Sequence, residues 1–154
     1  MNARAILLTL ALSLFGVSVC HAGDVNMGTW KLNEAKSKLV AGMPKNNTVV
    51  YAAAGDSVKV TVDGVDGAGK PAHNEWTGKF DGKDYAVVGD PTADMRAYKV
   101  VDDHTLTLTT KKGGKTTSTG RIVVAADGKS RTLTLSGTDS KGKKFNSEAA
   151  YDKQ

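Results

Sequence analysis

This 154-residue chain has only three histidines and one cysteine, so it has few of the side chains that most often act as catalytic bases, nucleophiles and transition-metal ligands. His73 and Glu75 stand two residues apart, so on a strand both would project from one face and reach a single ion or act as an acid–base pair. His104 is a third candidate ligand. A metal site needs three or four converging ligands, and nothing in the sequence brings these together. Solvent-facing polar residues beside turns are the simpler interpretation, and we expect no metal and no cofactor.

Nucleophilic catalysis has even less support in the sequence. A reactive Ser or Cys needs a base and an orienting group near it. No Gly-x-Ser-x-Gly motif occurs, and the single cysteine, Cys20, lies in the N-terminal leader described below. We therefore expect that the protein is not an enzyme.

Another group of residues suits ligand binding without reaction. Arg96 and Tyr98 share one face of a predicted strand, and Trp76 and Phe80 share a face of another. An arginine inside a barrel is costly unless it pairs with Glu75 or with the acid group of a ligand. One hypothesis is an amphipathic acid with its head group at Arg96 and Tyr98 and its tail along Trp76 and Phe80. The alternative is that Arg96 faces solvent or pairs internally with Glu75.

The first 22 residues have the pattern of an export signal. Arg4 gives a positive start, residues 5–19 are almost free of polar side chains, and Ala22 is a small residue before a cleavage point. The apolar run is shorter than the roughly 20 residues that a transmembrane helix needs. We expect cleavage after Ala22 and a periplasmic or secreted product of 132 of the 154 residues. The alternative is a lipoprotein acylated at Cys20, against which the bulky preceding valine argues.

Composition predicts one globular domain over residues 23–154. The chain is 40% hydrophobic and 24% charged, which excludes a disordered tail, and one cysteine excludes a disulfide scaffold. The net charge of +5 falls to +4 without Arg4, and the charges are interspersed, so we expect no nucleic-acid partner. Two basic clusters stand in glycine-containing segments, at 111–115 and at 141–144. They are either solvated hairpin tips or contacts to an anionic lipid or polysaccharide surface.

Period-two patterns predict an all-β fold. Apolar residues alternate with polar ones at 58–62, 105–109 and 132–136, as in half-buried antiparallel strands, and Asp-Gly pairs mark tight turns between such runs. We predict ten strands, at 28–32, 47–54, 57–63, 70–80, 84–88, 94–102, 105–111, 115–126, 130–137 and 143–151. Consecutive hairpins favour an antiparallel up-and-down β-barrel of about eight to ten strands. A short helical turn is expected at 33–39, after the first strand.

Gly28-Thr29-Trp30, at the start of the first predicted strand, resembles the opening motif of the lipocalin and fatty-acid-binding superfamily. The stretches at 96–99, 120–124, 126–129 and 150–154 are similar to small exported bacterial proteins of lipocalin-like type with no assigned activity. The resemblance implies that Trp30 packs at the closed end of the barrel beneath a basic side chain. Arg121 and Arg131 are the candidates for that cover, and we assign the closure of the barrel to Trp30 and Arg121.

Together these features predict an exported, monomeric barrel that holds a small apolar or amphipathic molecule. The alternative, from another class, is a structural or surface-interacting envelope protein with a filled barrel and basic hairpin tips.

Overall fold

The computed structural model describes residues 25–139 and 141–154, so the predicted export signal and Cys20 lie outside the described residues. Ten antiparallel strands form a closed barrel in which each strand pairs with its sequence neighbours and the last pairs with the first. This confirms the predicted up-and-down barrel, and every predicted strand lies within two residues of an observed one at each end. The strands are β1 (Gly28–Leu32), β2 (Lys45–Ala54), β3 (Ser57–Val65), β4 (Pro71–Gly78), β5 (Tyr85–Val88), β6 (Met95–Asp102), β7 (Thr105–Lys112), β8 (Lys115–Val124), β9 (Ser130–Thr138) and β10 (Lys144–Lys153).

The predicted helical turn after β1 is confirmed but shorter than expected. It is a single 3-10 turn over Glu34–Lys36, capped by Asn33, whose side-chain oxygen accepts a hydrogen bond from the Lys36 amide at 3.2 Å. It ends early because Lys38 forms an isolated β-bridge with Glu148 of β10. The amide of Lys38 donates to the Glu148 carbonyl at 2.7 Å, which holds the chain in an extended conformation.

Alternate residues along the strands point into the barrel, as the period-two patterns predict. On β3, Val60 and Val62 are buried, whereas Asp63 is exposed. The buried apolar and aromatic side chains form one continuous core: Trp30, Val49, Tyr51, Val60, Val62, Trp76, Tyr98, Leu106, Leu108, Ile122, Val124, Ala149 and Tyr151.

The two ends of the barrel differ. At the end we call the Trp30 end, the Trp30 indole N–H donates to the Asn26 carbonyl at 2.8 Å, and the Lys153 ammonium donates to the Val25 carbonyl at 3.2 Å. Residues 25–27 thus lie against the start of β1. At the opposite end, which we call the lysine end, lie the β3–β4, β5–β6, β7–β8 and β9–β10 connections and the longer link from β1 to β2.

The wall of the barrel is least paired at β5. This strand has four residues and pairs through two of them with β4 and through two with β6. The β2–β3 and β9–β10 pairings each extend over nine residue pairs. The β4–β5–β6 segment is therefore the part of the wall with the fewest backbone hydrogen bonds to break.

Glycine is required where β8 and β9 approach closely. A Cβ on Gly137 would lie 2.3 Å from the Thr117 carbonyl oxygen and 2.8 Å from the Ser118 side chain. The first of these atoms belongs to the backbone and cannot rotate away.

We expect Gly137→Ala to destabilise the barrel by about 1–3 kcal/mol, because the extra methyl group forces β8 and β9 apart. Urea unfolding followed by tryptophan fluorescence measures the change. Thr138→Ala, at the exposed neighbouring position, should change stability by less than about 0.5 kcal/mol. Equal stability of the two variants would contradict the close approach.

Candidate ligand-binding interior

Aromatic rings fill the middle of the barrel, and three predicted ligand-binding residues are among them. The rings of Trp76 and Phe80 stack with centroids 6.2 Å apart, and Tyr98 meets Trp76 edge-on at 4.8 Å. Tyr51 and Tyr85 extend the cluster, at 6.3 Å from Tyr98 and 5.7 Å from Trp76 respectively. Edge-to-face pairs of this kind stabilise by about 0.5–1.5 kcal/mol beyond the buried area. The predicted residues therefore form one contiguous surface inside the barrel.

Phe80 reaches this cluster from a loop. Strand β4 ends at Gly78, so Phe80 lies just beyond the strand on which we predicted it. Its ring and that of Tyr85 are only partly buried, whereas Trp76 is 1% exposed. The Trp76 indole N–H donates to the Arg96 carbonyl at 2.8 Å and ties β4 to β6 across the short strand β5.

Arg96 points into the barrel, as the ligand-binding hypothesis required, and does not face solvent. Its side chain is 8% exposed, and Nη2 lies 3.1 Å from Oδ2 of Asp90. Both terminal nitrogens also lie 3.4 Å from the side-chain oxygen of Asn74. Asp90 rather than Glu75 is the internal partner of Arg96. Glu75 projects from the opposite face of β4, where it lies 2.7 Å from the Lys59 ammonium.

Asp90 has a second role in the loop that joins β5 to β6. Its Oδ1 accepts hydrogen bonds from the Thr92 amide at 2.8 Å and from the Thr92 hydroxyl at 2.7 Å. Because Oδ2 binds Arg96, one carboxylate both shapes this loop and neutralises a buried charge.

The basic side chain over Trp30 is Arg131. Its guanidinium carbon lies 4.7 Å from the Trp30 ring centroid, 4.8 Å from that of Tyr51 and 5.0 Å from that of Tyr151. Arg121, the other candidate and the one we favoured for barrel closure, lies on the outer wall with its side chain 50% exposed. The alternation along β8 explains this. Ile122 and Val124 point inward, so Arg121, one residue before Ile122, points outward.

Arg131 is unlike Arg96 in having no carboxylate partner. It is 4% exposed, and within the described ranges no acidic side chain lies within ion-pair distance of it. Its Nε and Nη1 atoms are buried and have no hydrogen-bond acceptor among the described residues. Three aromatic faces offset part of the cost of burying the charge, at up to about 2 kcal/mol each when desolvated. They do not satisfy the N–H groups.

The tyrosines around these arginines are held neutral. Burial raises the pKa of Tyr151 to about 12, against the opposing effect of the Arg131 charge. Burial also raises the pKa of Tyr98, and the charges of both Arg96 and Arg131 act in the opposite direction on it. The Tyr98 side chain therefore lies within the field of both buried cations. Neutral tyrosine hydroxyls can donate hydrogen bonds to an anion.

His73 and Glu75 lie outside the barrel, on the β3–β4 wall. His73 Nδ1 lies 2.7 Å from Oδ1 of Asp63, and His73 Nε2 lies 3.7 Å from Oε1 of Glu75. All three side chains are at least 40% exposed. Among the described residues no cluster of three or more His, Cys, Asp or Glu side chains has a geometry that holds a metal ion. These contacts are solvent-exposed ion pairs on the outer face of the wall.

Two shallow grooves of about 290 and 310 Å³ lie over β8, β9 and β10. They share Ser136 and Asn146, and their linings are mainly hydroxyl-bearing and amide side chains. Neither groove is lined by the aromatic cluster or by the two buried arginines. The rings of the aromatic cluster and the Arg131 guanidinium pack against one another, so a ligand inside the barrel would have to move some of these side chains.

Some site residues were not identified from sequence. Tyr51 and Tyr151 lie on inward positions of β2 and β10, and their spacing by two from Val49 and Ala149 is the signal that places them inside. Asp90 carries no such signal, because it lies in a loop and reaches Arg96 only through the tertiary fold.

No family model and no curated protein matches this chain. Among the described residues, no helix is long and apolar enough to cross a membrane.

We expect Asp90→Asn to destabilise the protein by about 3–5 kcal/mol, because it leaves the buried Arg96 charge without its counter-charge. An asparagine side-chain oxygen can still accept from the Thr92 amide, so the change isolates the charge. Asp127→Asn is the matched control, since Asp127 accepts a turn amide at 2.9 Å but is exposed. Thermal and urea unfolding of both variants measure the difference, and equal effects would show that Asp90 acts only through its turn.

The pKa of His73 should lie above its ordinary value of 6.5, mainly because the ring donates to the Asp63 carboxylate. Because the folded-state pKa is raised, this contact stabilises the fold at pH values below the unfolded pKa. The contribution is lost as pH rises through the folded pKa. Proton NMR titration should show Asp63→Asn lowering the His73 pKa more than Glu75→Gln does. The reverse order would exclude Asp63 as the main partner.

Proposed function

We propose that this protein binds a small amphipathic carboxylic acid inside the barrel, with the carboxylate at Arg131 and the apolar part along the aromatic cluster. The observation that carries the proposal is the burial of Arg131 without an acidic partner among the described residues and with two nitrogens that no acceptor reaches. A buried polar group without a partner is unusual in folded proteins and calls for an explanation in terms of function or strain. A carboxylate would supply both the missing charge and the missing acceptors.

Arg96 supports the choice of Arg131 by contrast. Asp90 and Asn74 bind the two terminal nitrogens of Arg96 and leave only its Nε buried without an acceptor, so a ligand acid there would have to compete with a carboxylate fixed by its own loop. The head-group position predicted from sequence thus moves from Arg96 to Arg131, whereas Tyr98, Trp76 and Phe80 keep their proposed roles along the ligand.

The packing of the interior restricts the ligand to a small molecule and suggests where it enters. Phe80 lies beyond the end of β4 and Tyr85 on the four-residue strand β5. Unlike the rings of Trp76, Tyr98 and Tyr51, these two rings are only partly buried. We propose that a ligand enters by displacing them and then lies against Tyr98 and Tyr51.

Two further proposals concern class and location. The position of Arg131 over Trp30, at the start of β1, is the arrangement expected from the resemblance to lipocalin-like proteins, and it supports membership of that group. We also propose that residues 1–22 direct export, which places the barrel in the periplasm or outside the cell.

The test uses octanoate and octan-1-ol, which share a chain and differ in the carboxylate. We expect octanoate to bind the protein and raise its melting temperature, and Arg131→Gln to weaken octanoate binding by at least about tenfold, because a charge-assisted hydrogen bond is lost. Isothermal titration calorimetry measures both ligands.

Arg121→Gln is the matched control, because it removes the same charge from the outer wall and should leave binding unchanged. If Arg131→Gln does not fold, Tyr98→Phe replaces it, since it removes only a hydroxyl from the proposed site. Failure of the unaltered protein to bind octanoate, or equal weakening by Arg121→Gln, would refute the proposal.

A further inference from the structure

The lysine end of the barrel carries a cluster of exposed cations that the interior does not use. Two neighbouring hairpins, β7–β8 and β9–β10, end side by side there, because β8 pairs with β9 from Ser118 and Gly137 onward. None of the five lysines on these tips forms an ion pair within the described ranges, and all five are exposed. We call this cluster the basic rim; it consists of Lys112, Lys115, Lys141, Lys143 and Lys144.

Two carboxylates beside the basic rim accept hydrogen bonds from backbone amides of the tips. Oδ1 of Asp139 accepts hydrogen bonds from the Lys141 and Lys143 amides, both at 2.9 Å. Oδ2 of Asp94 accepts from the Gly113 amide at 2.8 Å. These contacts fix both tips in place while the lysine side chains extend into solvent. The tips are thus shaped by carboxylates that form no ion pair with the lysines.

The opposite end of the barrel has a different charge pattern. Its turns carry several aspartates, and three of them lie in ion pairs with Lys79, Lys83 and Arg121. The aspartates are Asp56, Asp81, Asp102, Asp103 and Asp127. Within the described ranges the lysine end carries three aspartates outside any ion pair, Asp66, Asp94 and Asp139, and the five rim lysines outnumber them. The excess charge at this end is therefore positive, so an anionic surface would attract this end first.

The shape of the basic rim favours a flat partner over a linear one. A linear polyanion is best matched by charges in a row along a wall, whereas these lysines cluster on two turns at one end of a barrel. A groove of about 290 Å³ begins at the rim beside Lys144 and Thr138 and is lined further on by Thr119, Ser136 and Asn146. An ammonium group next to several hydroxyls suits a phosphate and its polar head group.

We propose that the basic rim docks the barrel end-on onto a bilayer that contains anionic phospholipid, with a lipid phosphate at Lys144. Juxtaposed lysines each contribute to such binding, and the attraction falls within a Debye length of the surface. The inference is independent of the proposed interior ligand, because it uses no residue of that site.

The experiment measures co-sedimentation with vesicles of phosphatidylcholine, with and without phosphatidylglycerol. The chain from Gly23 is used, because the closed barrel is complete within the described residues and the apolar segment 5–19 would itself bind lipid. We expect binding only to the vesicles with phosphatidylglycerol, and a loss of binding at high salt. The rim variant, with all five rim lysines changed to Gln, should bind at least about a hundredfold more weakly.

The control variant changes five lysines elsewhere on the surface to Gln and has the same net charge: Lys31, Lys59, Lys83, Lys99 and Lys129. It should bind within about threefold of the unaltered chain, because these lysines lie away from the docking end. Equal weakening of the two variants would show that net charge alone causes the attraction. Binding to a soluble sulfated polysaccharide but not to vesicles would assign the rim to a different partner. Either result would overturn the proposal, as would an absence of binding to the anionic vesicles.

Discussion

The placement of the Arg131 guanidinium among the rings of Trp30, Tyr51 and Tyr151 connects the parts of the barrel that are most distant in sequence. These four side chains come from β9, β1, β2 and β10. The β1–β10 pairing that closes the barrel extends over only three residue pairs, so backbone hydrogen bonds alone hold it weakly. The cation and the three rings add side-chain contacts across this closure, and Lys153 packs on the same indole ring at 5.1 Å.

The energetics of this arrangement explain why we regard it as more than a structural clamp. A desolvated charge costs several kcal/mol, and cation–π contacts offset a large part of that cost. Hydrogen-bond acceptors would offset the rest, yet two guanidinium nitrogens have none among the described residues. At Arg96 the carboxylate of Asp90 supplies the counter-charge and Asn74 a further acceptor, and only Nε is left without one. Arg96 has a counter-charge in Asp90, whereas Arg131 has none among the described residues. This difference is our reason for placing the ligand acid at Arg131.

Period-two patterns were sufficient to predict the strands and the barrel. They left open which face of β4 and of β6 points inward, so the aromatic surface formed by Trp76 and Tyr98 was a hypothesis that depended on the Arg96 face pointing inward. The patterns did not show whether Arg121 or Arg131 covers Trp30, because both residues lie in strands. Only the structure shows that Arg121 is on the outward face of β8 and Arg131 on the inward face of β9. The Asp90–Arg96 pair was beyond sequence reasoning, because it joins a loop to a strand through the tertiary fold. The lysines at 112–115 and 141–144 were assigned to hairpin tips, and the predicted up-and-down order of the strands puts these two tips side by side at one end, as the structure has them.

Native mass spectrometry of the protein purified from the cells that produce it would show whether the barrel carries a small acid at Arg131. We predict a defined additional mass, of the size of a small amphipathic acid, that is present in the unaltered protein and in Arg121→Gln and missing from Arg131→Gln. A bare polypeptide mass, together with no uptake from a lipid extract of the same cells, would contradict it and would leave Arg131 with a purely structural role.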